Sequence, residues 1–272
     1  MLPIGLSSCG KELTDATFAA YRAAGITHME LALAPAEYPV LNYRAVRETA
    51  DRHGVLLWSL HLPFNPFHVL DISRRELAEN AVAYQSELIK RGAEIGIKTF
   101  VIHASGEPIA EEDRPERMKQ ARLSLCLLAD VAKSCGGRIA VEDLPRTCLG
   151  RDSSDMLALT ADHPDLRICF DTNHLLSEDP LAFIRAVGSK TVTTHVSDYD
   201  GLDEKHWLAG EGVLPWHAMY GALIAEGYTG PWLYELGYGA PDTHPRSRDL
   251  TPADFARNAN EIFAGEKITL IK

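Results

Sequence analysis

Six apolar runs of this chain end in a side chain that can ligate a metal or carry a proton. They read Ser59-Leu60-His61-Leu62-Pro63, Val101-Ile102-His103, Ala140-Val141-Glu142-Asp143, Cys169-Phe170-Asp171-Thr172-Asn173-His174, Thr194-His195-Val196-Ser197-Asp198 and Leu233-Tyr234-Glu235-Leu236. Taken singly, a histidine there is an ordinary hydrogen-bonded residue, and a carboxylate is a loop cap or a surface charge. A succession of them is different, because buried unpaired carboxylates are costly. A dication removes that cost by pairing with the carboxylates, and neutral imidazoles complete its shell. The tightest candidate set is Glu142, Asp171, His195 and Glu235. It is hard and oxygen-rich, which favours Mn²⁺, Mg²⁺ or Co²⁺ and also accommodates Zn²⁺. His61, His103 and His174 form a next ring, as supporting groups, substrate contacts or ligands of further ions, the last shifting the preference toward Zn²⁺.

Such a site polarises a carbonyl and acidifies the neighbouring C–H. A carboxylate of the set can then act as base toward a cis-enediolate, and the same group or another returns the proton. Loss of a β-hydroxyl from the same enediolate would make a dehydratase or lyase. A sugar-binding protein without turnover is the non-enzymatic rival.

Side chains from distant runs converge only if the elements place all the run ends on one face. The chain alternates short β-rich runs with helical patterns. The β runs are Leu2–Ser7, His28–Leu33, Val55–Leu62, Thr99–His103, Arg138–Asp143, Arg167–Asp171, Thr191–Ser197 and Trp232–Leu236. The helices are Thr14–Ala24, Tyr43–His53, Ser73–Gly92, Pro115–Ser134, Ser153–Ala161, Pro180–Val187, Pro215–Glu226 and Pro252–Ala264. Thr14 reads as an N-cap, Gly25 and Gly54 as stops, and Ser73 with Glu76 as a capping box. The runs are continuously apolar, as strands covered on both faces are. A repeat of about 34 residues predicts a single (β/α)8 barrel across 1–272, with the active site at the C-terminal strand ends. A doubly wound sheet is the structural alternative.

Composition narrows the partners. The 272 residues carry 27 basic and 38 acidic side chains, a net charge of −11, which disfavours a polyanion such as nucleic acid. No apolar run approaches a membrane span, and the N-terminus lacks the basic region of a signal peptide. Five cysteines, Cys9, Cys126, Cys135, Cys148 and Cys169, include no CxxC pair, so reduced thiols in a cytoplasmic protein are expected. Cys169 reads as core. Glu204-Lys205-His206 and Gly210-Glu211-Gly212 share a long loop, either a solvated charged loop or a flap. As a flap it brings His206 to metal or substrate and offers Lys205 to an anion; the glycine turn is too short for a phosphate loop. Glu30 reads as a structural hydrogen-bonding group, and Trp58, Phe64 and Trp216 as core packing ahead of the alternative of a sugar-binding wall. His28, His53, His68, His163, His217 and His244 are assigned no role.

At these residues the sequence resembles the xylose-isomerase-like TIM barrels, which include sugar phosphate isomerases/epimerases and family-2 AP endonucleases. The carriers are Ser59-Leu60-His61, Val101-Ile102-His103, Val141-Glu142-Asp143-Leu144-Pro145, Phe170-Asp171-Thr172-Asn173-His174, Thr194-His195-Val196-Ser197-Asp198 and His206…Gly210-Glu211-Gly212. Resemblance to the ketose 3-epimerase branch implies one divalent metal on Glu142, Asp171, His195 and Glu235. It also implies proton transfer by Glu142 and Glu235, a substrate contact by His174, and isomerisation or epimerisation of a small sugar, sugar phosphate or keto-polyol. The arginine that branch often places shortly after the histidine is missing after His195. Resemblance to the endonuclease branch implies up to three Zn²⁺ on His61, His103, Glu142, Asp171, His174, His195, Glu204, His206 and Glu235, with Glu204 where an aspartate is usual. Barrels of this kind are often dimers or tetramers, so a homo-oligomer is a further expectation.

Overall fold

The computed structural model describes residues 1–8, 11–64 and 70–271; Cys9 and His68 lie outside them. Eight parallel strands are ordered β7-β6-β5-β4-β3-β2-β1-β8. They are β1 Ile4–Ser7, β2 His28–Leu31, β3 Leu56–His61, β4 Thr99–His103, β5 Arg138–Glu142, β6 Arg167–Asp171, β7 Thr191–His195 and β8 Trp232–Tyr234. The helices are α1 Asp15–Ala24, α2 Tyr43–His53, α3 Arg75–Glu94, α4 Arg114–Ser134, α5 Ser153–Leu159, α6 Pro180–Val187, α7 Trp216–Ala225 and α8 Pro252–Ala264. β1 pairs with β8, and the sheet closes between β7 and β8 through one bridge, Val196 to Tyr234. The expected (β/α)8 barrel is the fold, and the doubly wound alternative is excluded by that closure.

Strand periodicity sets what faces inward. Along β4, β5 and β6, Val101, Ala140 and Cys169 pack together as a small buried cluster inside the barrel. Their neighbours Phe100, Ile102, Ile139, Val141, Ile168 and Phe170 join the core shared with the helices. Two residues beyond the inner cluster, still in phase, come His103, Glu142 and Asp171. A slip of one residue would send all three outward. At the lower end Trp58 is the extra residue of a bulge in β3 opposite Met29/Glu30, and its indole N–H donates to Thr193 Oγ1 across the barrel (3.2 Å). Trp216 is buried core, as expected, whereas Trp58 is half-buried at the lower end of the barrel.

Thr14 caps α1, and Gly25 and Gly54 end α1 and α2 in the left-handed region (φ 82° and 64°), where a Cβ would be strained. The expected capping box at Ser73 and Glu76 does not form. α3 starts at Arg75; the Ser73 amide and hydroxyl instead donate to Asp71 Oδ1 (2.9 and 2.5 Å), and Glu76 pairs with Arg74. A buried carboxylate two residues upstream outcompetes the helix amide, because charge-assisted bonds are the stronger. Several expected strands are shorter at their C-terminal ends, because Leu33, Asp143, Ser197 and Leu236 already belong to the loops above the barrel. Cys126, Cys135, Cys148 and Cys169 are free thiols. Among the described residues no helix is long and apolar enough to cross a membrane.

Candidate metal centre

The strand ends deliver their side chains to one point. Ligand atoms of Glu142, Asp171, His195 and Glu235 all lie within 4.8 Å of one another. Glu142 is the hub: its carboxylate lies 3.0 Å from His61 Nε2, 3.1 Å from His103 Nε2 and 3.0 Å from His195 Nδ1. Glu235, just past β8, reaches the same His195 Nδ1 at 3.0 Å. Two flanking groups meet the same 4.8 Å criterion, His61–His103–Glu142 and His174–Glu204–His206. All nine residues named from sequence are thus brought together. Cys169 Sγ lies within that distance of Glu142 and His195, but burial pushes its thiol well up, so it sits there protonated.

Hydrogen bonds fix which nitrogen each imidazole presents. His61 Nδ1–H donates to Leu62 O (2.9 Å) and His174 Nδ1–H to Asp143 O (2.7 Å), which turns both Nε2 atoms toward carboxylates. His195 is reversed. Its Nε2–H donates to Glu30 (3.1 Å), itself fully buried and accepting from Ser59 Oγ–H (2.8 Å), so Nδ1 faces the centre. Glu30 is the structural hydrogen-bonding group expected, and what it orients is a candidate ligand.

Without a cation, the buried carboxylates are balanced by protons on the imidazoles around them. Burial works against a charge on His61, but Glu142 outweighs it and pushes the imidazole up to about 9. His174 and His195 are driven well above the ordinary histidine value in the same way, by Asp171 and Glu204 at the first and by Glu235, Glu30 and Glu142 at the second. Burial pushes the Asp171 carboxyl up to about 7, and its Oδ2 is buried without a hydrogen-bond partner. An orphaned carboxylate oxygen, two further carboxylates and an imidazole nitrogen turned toward them are a donor set suited to a hard divalent cation.

The loop after β7 is folded down onto the mouth, which favours the flap reading. Asn173 Oδ1 accepts from the amides of Lys205 and His206 (3.0 and 3.4 Å), and Arg146 holds Glu204, whose other partner is His174 Nε2 (3.0 Å). Arg146 (φ 53°) and His206 (φ 51°) are the non-glycine residues with left-handed backbone among those described, and both flank the centre, where such strain tends to collect. Lys205 is not held free for an anion: its ammonium lies 3.5 Å from Asp200. Phe64 is not core either. It is 53% exposed, and its ring stacks on His103 with centroids 4.2 Å apart. A phenylalanine following Leu62-Pro63 reads as apolar filling, and only the turn of the loop places it on the rim.

The base of the flap is Asp198, whose role the sequence does not signal. Its buried carboxylate accepts from the amides of Tyr199, Gly210, Gly212 and Leu214 and from the Trp216 indole. Gly212 is needed for the close approach, since a Cβ there would sit 2.1 Å from Tyr199 O. Glu211 beside it forms a buried pair with Arg246 (2.7 Å). Asp198→Ala is expected to destabilise the protein by about 3 kcal/mol or more, since each orphaned N–H costs about 1–3 kcal/mol. Asp198→Asn, which keeps one acceptor, should fall between. Thermal unfolding of the two variants checks the order, and equal melting temperatures would refute it. Of the histidines assigned no role, His53, His163 and His217 bond to Asp15, Asp130 and Glu266 O respectively.

The model of the xylose isomerase-like TIM barrel family matches residues 18–254. The chain belongs to this family. An uncharacterized protein from Methanocaldococcus jannaschii is 24% identical to it over 198 residues, 70% of this chain and 67% of that protein. Among solved structures the family fold recurs in a D-tagatose 3-epimerase-like protein (19% identity, 97% of each chain, TM-score 0.81). It recurs in a D-psicose 3-epimerase from Clostridium cellulolyticum H10 (19% identity, 97% and 98% of the two chains, TM-score 0.75). A 3-keto-D-glucoside 4-epimerase from E. coli also has it (18% identity, 97% and 100% of the two chains, TM-score 0.76). At these identities the likeness is one of family fold.

Proposed function

We propose that the protein is a divalent-metal-dependent isomerase or epimerase of a small sugar or keto-polyol. The observation that carries this reading is the meeting of Glu142, Asp171, His195 and Glu235 within 4.8 Å at the barrel mouth. The sugar epimerases among the solved structures of the same fold support it. A cation held by these four residues would supply Lewis-acid polarisation of a substrate carbonyl and its neighbouring hydroxyl. Glu142 and Glu235 move the proton of the carbon between those oxygens. They come from β5 and β8, separate sides of the mouth, so one removes the proton and the other returns it to the opposite face. Return by the same group to the adjacent carbon gives isomerisation. His174 and His206 orient substrate oxygens. An uncharged substrate is favoured over a sugar phosphate, because Arg146, the one Lys or Arg lining the mouth among described residues, is already paired with Glu107, Asp203 and Glu204.

The test is incubation of the Mn²⁺-loaded protein with free and O-substituted ketoses in D₂O. The expected result is deuterium at a single carbon together with the epimer or aldose isomer. A product lacking a hydroxyl would move the assignment to a dehydratase or lyase, and absence of exchange with every ketose would overturn it. A second reading, phosphodiester hydrolysis at three zinc ions, is supported by one observation, the fall of all nine residues into three groups, two of which share Glu142. It requires about three zinc ions per chain and cleavage of abasic duplex, against one ion and no cleavage for the first. The net charge of −11 favours the first.

A further inference from the structure

The mouth holds two chambers. One, of about 480 Å³, contains the metal-centre residues His61, Glu142, His206 and Glu235. The other, of about 320 Å³, lies between the loops after β3, β4 and β5, and the two share Phe64, His103, His174 and Glu204 as a common wall. Each alone falls within the roughly 300–1,000 Å³ over which proteins enclose small ligands. The first chamber therefore accommodates the reacting sugar, and the second is left over.

We propose that this second chamber binds an uncharged second sugar ring, so that the substrate is a glycosylated ketose rather than a free monosaccharide. The inference rests on the isomerase or epimerase reading of the metal centre. The chamber's chemistry is that of a sugar subsite. Pro63, Phe64, Leu144 and Pro145 give it an apolar wall suited to the C–H face of a pyranose. Two of its polar groups, Gln85 and Glu107, keep acceptor capacity to spare. Gln85, on α3 and only 2% exposed, has a buried Oε1 with no hydrogen-bond partner, while its amide nitrogen makes one long bond to Leu70 O (3.4 Å). Glu107 gives Oε1 to Arg146 and keeps Oε2 in a marginal 3.5 Å contact with Thr147. Acceptors without donors fit the hydroxyls of a sugar ring. They repel a phosphate or carboxylate, which would find Arg146 already engaged. An unpaired buried acceptor costs about 1–3 kcal/mol, which a hydroxyl in place would offset.

Calorimetric titration of the Mn²⁺-loaded protein with D-fructose, 6-O-glucosyl-fructose and 4-O-glucosyl-fructose tests this. At least one disaccharide should bind ten-fold or more tighter than fructose. In Leu70→Trp, which fills the chamber, that ratio should fall to about one. In Gln85→Leu, which removes only the amide, it should fall three- to ten-fold. Disaccharides that bind no better than fructose, or a ratio that survives both substitutions, would overturn the proposal. Tighter disaccharide binding without proton exchange at any carbon would sustain the subsite and sink the catalytic reading. Turnover with equal affinities would do the reverse.

Discussion

Glu235→Gln should leave the metal in place and lower kcat by about 10²–10⁴-fold, the contribution typical of a positioned general acid or base. Glu235 meets the cluster at its rim, through one contact with His195 Nδ1 (3.0 Å). Glutamine keeps an oxygen there but cannot take up a proton. KM should change by far less than kcat, since the lost interaction belongs to the proton-transfer step. Glu142→Gln should behave differently. Its carboxylate faces His61, His103 and His195 at once, so removing that charge costs the ion as well as the turnover. Metal content by mass spectrometry beside steady-state kinetics separates the two cases. A Glu235→Gln protein with wild-type kcat would refute the acid–base assignment.

Metal affinity should rise steeply with pH, by about ten-fold per unit for each proton displaced. In the metal-free protein His61 holds its proton to about 9, and His174 and His195 are likewise pushed well up. A cation taking His195 as ligand must expel the proton on its Nδ1, and its charge weakens the hold of the neighbouring imidazoles on theirs, so acid competes with it. Stability of the metal-free protein runs the other way. A histidine raised from 6.5 to about 9 stabilises the fold fully below 6.5, and that contribution is lost as pH rises through 9. The metal-free melting temperature should therefore decline between pH 6.5 and 9, while the loaded protein holds its own. Chelation should abolish turnover and lower the melting temperature, because the ion binds only the folded chain. Calorimetry in buffers of differing ionisation enthalpy measures the protons released, and an affinity independent of pH would contradict the assignment.

The barrel and the seven strand-end residues were legible because both depend on short-range regularities, whereas the set of nine, with Glu204 and His206, came from the family resemblance. Apolar runs bounded by helical patterns give the staves, and two-residue periodicity carries His103, Glu142 and Asp171 inward with Val101, Ala140 and Cys169. What was not legible depends on partners remote in sequence. Asp198 accepts from amides up to sixteen residues away, and Asn173 holds a loop more than thirty residues on. Asp143 looks like a further ligand beside Glu142, yet its Oδ1 accepts from the Asp171 amide (2.7 Å). The two-residue phase sets Asp143 apart from Glu142 but lapses at the strand end, and beyond it only the direction of the departing chain decides where a carboxylate points. Phe64 was read as core for the same reason, and the second chamber, built from three loops, left no signature.

One seam in the molecule carries a consequence for its assembly. β7 and β8 meet through a lone bridge, and Glu235 stands one residue beyond it, opposite His195. Residues from His61 to Glu235 must all be in position before a cation finds its full set of donors, so no partial stretch of chain can hold one well. On the proposed metal-dependent reading, ion uptake would belong to the last act of folding, and a dication shared by His195 and Glu235 would rivet the joint where the wall of the cylinder is thinnest.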